Sequence, residues 1–408
     1  MTAVHLGTFD AERWWRPDEL AELPAAPAGT AADTMDELLA AFCAPGDLLV
    51  TRAPMATRLR EAMTDCGLAF DHHVVPAPSR TPLERHACVD PEPLRGALQP
   101  YAVLPDTVAL ARRLGQADQL PPADVVARVN SKSWSNQLVR DLGMPGAGRV
   151  VRSVAELTAA ADGAVVIKDP YGVSGRAMLD VRTPGVLRAV TRTLGDQVAR
   201  GRRVELIVQP KYAKRTDFSG HLSITPDGEW ELHGVQIMDN RGFRHIGSSP
   251  APPEFLSKLT AGGYFDALAA VADALRLAGY WGPAGVDSME LADGTIVPVL
   301  EINARRSLGL VSLTLDRRVA GYGLRCHLRH EEFRVAPGRG VTDLVDALRR
   351  AGILYKGGSS PGVLVLSGSG LAAPGGRVCC ALMCAPGEAE RLRSGLLTAA
   401  ITAGLTPR

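Results

Sequence analysis

Apolar and polar residues alternate along both arms of the stretch Gly285 to Arg306, GVDSMELADGTIVPVLEINARR. A period of two predicts a pair of antiparallel strands, joined at Ala292-Asp293-Gly294. A two-residue turn at Asp293-Gly294 would set Asp287 opposite Leu300 and send Glu301 to the other side of the pleat. A three-residue turn with Gly294 in the left-handed conformation pairs Leu291 with Thr295 instead. Asp287 then lies diagonally across from Glu301 on the same face, with Asn303 two residues further on. The three-residue turn is the expected one.

The rest of the chain alternates strand and helix patterns. Residues before about 45 read as a loosely patterned lead-in with short helices, anchored by Trp14 and Trp15. Strands are expected at Asp47 to Thr51, Leu68 to Val75 and Tyr101 to Leu104, and helices at Met55 to Cys66 and Asp106 to Leu114. This alternation predicts a small doubly wound α/β unit over residues 1–120. In NSKSWSNQLVRDLGMP a helix opens at Asn130 or Ser131 as N-cap and closes at Gly143 and Pro145. Buried strands follow at Ala164 to Lys168 and Val204 to Gln209, then a strand after Asp217 and another at Trp230 to Ile237. Met238 to Pro252 reads as an irregular loop, Phe265 to Leu277 as an amphipathic helix, and the segment after Ser307 as a helix. From residue 331 the pattern gives a tail of helix Thr342 to Arg350, strands Gly362 to Ser367 and Arg377 to Cys384, and a helix from Pro386 to Ala403. The fold class is α/β, divided at about 1–120, 121–330 and 331–408.

Bulk composition narrows the function classes. At 408 residues with 46% hydrophobic content the chain suits a globular protein of several units. A net charge of +1 gives no reason to expect a nucleic-acid partner. The opening MTAVHLGTFDAERWW shows no basic region followed by an apolar run, so a soluble, cytoplasmic protein without a membrane partner is expected. Seven cysteines lack zinc-type spacing, and Cys379, Cys380 and Cys384 read as core thiols.

Several side chains carry chemistry. Asp287, Glu301 and Asn303 are hard oxygen ligands suited to Mg²⁺ shared with phosphates. Lys132 falls in the first turn of its helix, where its ammonium and the free helix N–H groups could meet one phosphate. Lys168 ends a buried strand and is followed by Asp169 to Arg176, where Gly172 and Gly175 free the backbone and Ser174 adds a hydroxyl. Ser219, His221 and Ser223 share a strand face; His221 could meet substrate or phosphate, or serve as a structural hydrogen-bonding residue. Arg241, Arg244 and His245 could bind a substrate carboxylate. Walker and kinase signatures are absent from the sequence.

The pattern Asp287…Glu301-Ile-Asn-Ala-Arg305, with Lys132 before a helix and Lys168 at a strand end, resembles the ATP-grasp superfamily of carboxylate ligases over roughly Asp118 to Ser312. That resemblance implies an ATP-grasp fold, with a covering sheet at about 150–210 and a small unit preceding it. It further implies that Lys132 and Lys168 hold ATP phosphates under a loop containing Gly172, Ser174 and Gly175. By the same match Gln209, Pro210, Lys211 and Tyr212 line the adenine, and Asp217 meets the ribose. Asp287, Glu301 and Asn303 would hold Mg²⁺, two ions by family habit. Arg305 would stabilise the transferred phosphoryl group, and Ser307 would help position the acyl group. The implied reaction joins a small carboxylate to an amine through an acyl phosphate, releasing ADP and phosphate. The continuation EINARRS and the tail look similar to natural-product peptide ligases of the pheganomycin type, which implies antibiotic-like peptide products and a tail that binds the acceptor or forms a homodimer. Other acceptors (a carboxylase or thioester-forming reaction) and a non-catalytic ATP-binding module are the competing readings.

Overall fold

A computed structural model describes residues 2–24, 30–78, 81–172 and 178–408, and three sheets organise them. The first is parallel, in the spatial order Asp71–Val74, Leu48–Thr51, Ala3–Leu6, Ala97–Pro100. Parallel neighbours need a crossover, and the helix Thr57–Asp65 supplies the one between Leu48–Thr51 and Asp71–Val74.

Two expectations are corrected in this unit. The lead-in contributes Ala3–Leu6, an inner strand of the sheet, whose four residues are too few to show a period and whose partners are remote in sequence. The strand expected at Tyr101 to Leu104 lies earlier, at Ala97–Pro100. Leu104 instead caps the helix Pro105–Arg113, its N–H donating to the Thr107 hydroxyl at 2.9 Å, while Tyr101 stacks on Phe9.

The second sheet is antiparallel, in the order Arg149–Val151, Leu206–Pro210, Val165–Lys168, Met178–Val181. Val151, Leu157, Ile167, Leu194 and Leu206 give it an apolar core of its own, with helices Val154–Ala160 and Pro184–Val198 contributing Leu157 and Leu194.

The third sheet has nine strands, every pair antiparallel. Its order runs Ile296–Asn303, Gly282–Leu291, Lys214–Ile224, Trp230–Arg241, Arg244–Pro250, Arg325–Val335, Gly375–Cys384, Gly362–Ser367, with Leu405–Pro407 also on Arg325–Val335. The tail strands therefore extend the sheet that carries the hairpin, and Arg325–Val335 runs unbroken through residue 330. The irregular loop expected at Met238 to Pro252 is instead a tight hairpin, with Arg241 paired to Arg244 across Gly242-Phe243. Its residues are half-exposed and polar, so no apolar alternation marks them. Pro386 lies in a turn ahead of the last helix, which begins at Ala389.

Residues directly opposed across antiparallel strands share a face. One face of the large sheet carries Asp287, Ser219, Asp217 and Met238 in register. The helix Leu308–Ala320 packs on part of this face, its Gly309 against His221 and its Ser312 hydroxyl donating to Gln236 at 3.2 Å. The helix Tyr264–Leu277 covers the opposite face, with Tyr264 hydrogen-bonded to Ser288 at 3.1 Å and Leu268 beneath Gly220. Among the described residues no helix is long and apolar enough to cross a membrane.

Candidate active site

The hairpin turn has three residues. The Leu291 N–H donates to the Thr295 carbonyl at 2.9 Å, the Gly294 N–H to the Leu291 carbonyl at 3.0 Å, and Gly294 adopts φ +90°. Between Met289 and Asp287 the register shifts, so Asp287 lies directly opposite Glu301 and not diagonally from it. Pro298 has no N–H for the ladder, and the Ser288 hydroxyl donates to the Pro298 carbonyl at 2.7 Å where the pairing is broken. Direct opposition brings the two carboxylate-bearing residues closer than a diagonal pair, about 5 Å between backbones against roughly 7–8 Å. Asn303 joins them, its Nδ2 donating to Asp287 Oδ2 at 3.2 Å.

Lys132 reaches this pair, and Lys168 is buried near it. Lys132 is the first residue of helix Lys132–Asp141, opened by Ser131, whose hydroxyl accepts from the Ser133 N–H at 3.2 Å. Its ammonium lies 2.9 Å from Glu301 Oε1 and donates to the Gly172 carbonyl at 2.6 Å. Lys168 ends the strand Val165–Lys168 and is buried. Burial pushes its ammonium down to about 8; Glu301 opposes the fall, and the like charge of Lys132 adds to it. Asp287 is held well above the usual carboxylate range by burial and by the facing Glu301.

Two carboxylates forced together out of water favour a bound cation. Asp287 and Glu301 fit Mg²⁺, a hard ion that takes few protein oxygens and completes its shell with phosphate or water, and Asn303 would join them by turning its Oδ1, here on Arg305, toward Asp287. Among the described residues no group of three or more His, Cys, Asp or Glu is arranged around a metal position.

A cleft between the second sheet and the hairpin joins both lysines to Gln209, Ile207, Gly146 and Val299. Gln209 is buried and donates to the Gly146 carbonyl at 2.5 Å. Pro210 pairs opposite Val165, and Lys211 follows, its N–H on the Ala164 carbonyl at 3.0 Å and its ammonium 2.6 Å from Asp180. Lys211 thus turns to the outer sheet edge, while Tyr212 is half-buried in the connection. Asp217 is in register with Met289 and accepts from Asn240 at 2.6 Å and from Lys214. Gly172 sits over Lys132 through its carbonyl; Ser174 and Gly175 lie outside the described residues.

Arg305 is half-buried beside Asn303. Its Nη2 donates to Asn303 Oδ1 at 2.9 Å, its Nη1 to the Tyr101 hydroxyl at 2.9 Å, and its Nε to Glu12 Oε1 at 2.9 Å. Ser307 is the N-cap of helix Leu308–Ala320, accepting from the Leu310 N–H at 3.1 Å, and also bonds His221 Nδ1 at 3.1 Å. The other nitrogen of His221 meets the Ser219 hydroxyl at 2.8 Å, and burial holds the ring neutral, down to about 3. Both ring nitrogens are engaged, so the structural role is the one the geometry supports for His221. Arg241 is exposed beside its turn, Arg244 is 2.5 Å from Glu332, and His245 bonds the Ser248 hydroxyl at 2.8 Å. These three are not brought against the hairpin carboxylates.

Sequence reasoning missed several supporting residues. Glu12 and Tyr101 arrive from the first unit to hold Arg305. Asn130 binds both backbone groups of Ala304, accepting from its N–H at 2.9 Å and donating to its carbonyl at 3.3 Å. The Ser135 hydroxyl accepts from the Ile302 N–H at 3.2 Å. Each acts across more than 150 positions of chain, and no local pattern signals such a contact.

A large antiparallel sheet bearing the acids, a smaller one over it bearing a lysine, and a parallel unit before them define the ATP-grasp fold. Comparison with solved structures agrees. The chain is similar to the ADP complex of purK, N5-carboxyaminoimidazole ribonucleotide synthetase (TM-score 0.57, 12% identity, 98% of this chain and 96% of that one). It is also similar to the biotin carboxylase domain of Hydrogenobacter thermophilus 2-oxoglutarate carboxylase (TM-score 0.56, 13% identity, 100% and 91%). No family model matches the sequence. Among curated proteins it is 26% identical over 229 residues to the [Butirosin acyl-carrier protein]–L-glutamate ligase of Niallia circulans. That match covers 53% of this chain and 52% of the relative, so the chain spans about half the length of the relative it matches.

Proposed function

We propose that this protein is an ATP-dependent ligase that joins a carboxylate to an amine, forming an amide or peptide bond with release of ADP and phosphate. The observation that carries the reading is the opposed pair Asp287 and Glu301, with Lys132 on Glu301 and Lys168 buried beside them. Such a cluster holds polyphosphate and cation together and offsets the charge that develops in phosphoryl transfer. Asp287, Glu301 and Asn303 would hold Mg²⁺, which would supply positive charge against the phosphates. Gln209 lines the cleft where the nucleobase would lie, and Asp217 would meet the sugar. A substrate carboxylate oxygen attacks the γ-phosphorus and ADP leaves; the amine then attacks the acyl carbon, phosphate leaves, and the amine proton passes to solvent. Arg305, fixed next to Asn303, faces the charge on the transferred group. The similarity to a ligase that loads L-glutamate onto an acyl-carrier protein supports an amino-acid carboxylate or amine as substrate, in the assembly of a peptide-like natural product.

The similarity to carboxylating synthetases favours a second reading, in which bicarbonate is the activated acid. One experiment separates the two. The protein is incubated with ATP, Mg²⁺ and pools of amino acids and small carboxylates, with and without bicarbonate, and ADP and AMP are measured separately, with Glu301→Ala as control. Amino-acid-dependent ADP and phosphate, lost in the variant, supports the ligase. Strict bicarbonate dependence selects the carboxylase, and AMP with pyrophosphate would overturn acyl-phosphate chemistry altogether.

A further inference from the structure

The face of the large sheet that carries Asp287 and Asp217 continues into the tail. Asn240 pairs with His245 in register, Ser248 with Leu328, His330 with Cys379, and Glu332 with Arg377. Asn240, His245, His330 and Arg377 thereby form a half-buried polar strip running across four strands from the Asp217 position. The rings of His245 and His330 meet edge to face with centroids 5.6 Å apart. Among the described residues His245 Nδ1 and His330 Nε2 are enclosed without a hydrogen-bond partner. Arg377 donates to the His245 carbonyl at 3.3 Å, while its cross-strand neighbour Glu332 is engaged by Arg244. His330 and Arg377 open on a small cleft walled by Met35, Leu38 and Cys379.

A half-buried guanidinium without a close carboxylate, flanked by two imidazole nitrogens lacking partners, is costly unless an anion completes it. We propose that Arg377, His330 and His245 form an oxyanion-binding subsite that seats the far end of the acceptor substrate. Strand spacing of about 4.8 Å places His330 about 14 Å from the Asp217 strand and about 19 Å from the Asp287 strand. Counted from the Asp287 strand, where the acyl group would form, at about 3.3–3.6 Å per extended residue the ligand spans roughly five residues, or a chain of equal length ending in phosphate. A single free amino acid is too short to reach both places. The subsite thus measures acceptor length, selecting an extended molecule whose terminal carboxylate or phosphate lies far from its reacting amine. This inference rests on the ligase reading for the role of the anion, but the binding itself does not.

The test reads the imidazoles directly. Full-length ¹⁵N-labelled protein is observed by long-range ¹H–¹⁵N correlation, with His245→Gln and His330→Gln giving the assignments. Glycyl peptides of one to five residues, their C-terminal amides, phosphopantetheine and pantetheine are titrated in without ATP. Expected are shifts of both imidazoles with the four- and five-residue acids or with phosphopantetheine, at least tenfold weaker in Arg377→Ala and partly kept in Arg377→Lys. Response to peptide acids identifies a carboxylate source, and response to phosphopantetheine a phosphate one. Unmoved imidazoles throughout, or equal shifts from amides and acids, would overturn the subsite, and the wild-type series alone suffices if Arg377→Ala fails to fold. Graded length dependence is read separately, from the KM of peptide acceptors in the ADP assay: a KM independent of length would remove the measuring role. A protein that forms ADP yet shows no shifts loses only this subsite; one that shows the shifts but never turns over ATP keeps it and loses the ligase.

Discussion

At the scale of single residues, Glu12 matters more than its place in a four-residue helix suggests. It is buried against Arg305, and one of its oxygens has no partner among the described residues. Removing one partner of a buried ion pair leaves the other charge stranded at about 3–5 kcal/mol. Glu12→Gln is expected to lower unfolding free energy by about 3 kcal/mol in denaturant titrations and to slow ADP release; an unchanged midpoint would show that Arg305 does not depend on it. His5 makes a pH prediction. Arg306 donates to its Nδ1 at 2.9 Å, its Nε2 lies 3.3 Å from Asp47, and burial followed by the Arg306 charge holds the ring down to about 4. The folded state then binds fewer protons than the unfolded state between pH 6.5 and about 4. Stability from this group is full above pH 6.5 and falls as pH drops through that window, by up to about 3 kcal/mol. Unfolding curves at pH 7.5 and 5 should differ less in His5→Gln than in the natural protein.

At the scale of elements, Gly309 sets two effects against each other. It lies within the helix Leu308–Ala320, where alanine would ordinarily stabilise by about 1 kcal/mol. A Cβ there would stand 2.2 Å from His221 Nε2, on a ring pinned by Ser219 and Ser307. Overpacking of about 1–3 kcal/mol wins, so Gly309→Ala should lower the melting temperature; a rise would mean that His221 is free to move. The hairpin shows how far local pattern reaches. Its turn length, its shared face and the N-terminal placement of Lys132 were legible because alternation, a glycine and a cap are local signals. The register shift was not, since it depends on how Pro298 and Ser288 resolve a broken ladder. Ala3–Leu6 and the hairpin at Arg241 to Arg244 escaped for a related reason: short or evenly polar strands are defined by their neighbours.

At the scale of the whole molecule, the segment from Arg16 to Glu22 ties the first unit to the smaller sheet. Arg16 lies 2.5 Å from Asp169, the Ala21 N–H donates to the Arg203 carbonyl at 2.9 Å, the Arg203 N–H to the Glu19 carbonyl at 2.8 Å, and Glu22 exchanges bonds with Gln197. Arg16→Ala should raise amide exchange in Met178–Val181 and Leu206–Pro210 while leaving the large sheet protected; uniform exchange would refute the tie. The architecture was foreseen from the acids and lysines, whereas the joining of tail to centre was hidden, because strands alone do not announce which sheet they enter.

That joining bears on how such proteins diversify. Arg325–Val335 is bonded on one side to Arg244–Pro250 and on the other to Gly375–Cys384. A chain cut ahead of it would present Arg244–Pro250 as a naked edge, a template for pairing with any other chain. Any replacement for the tail would therefore have to bring a strand of its own that pairs with Arg244–Pro250.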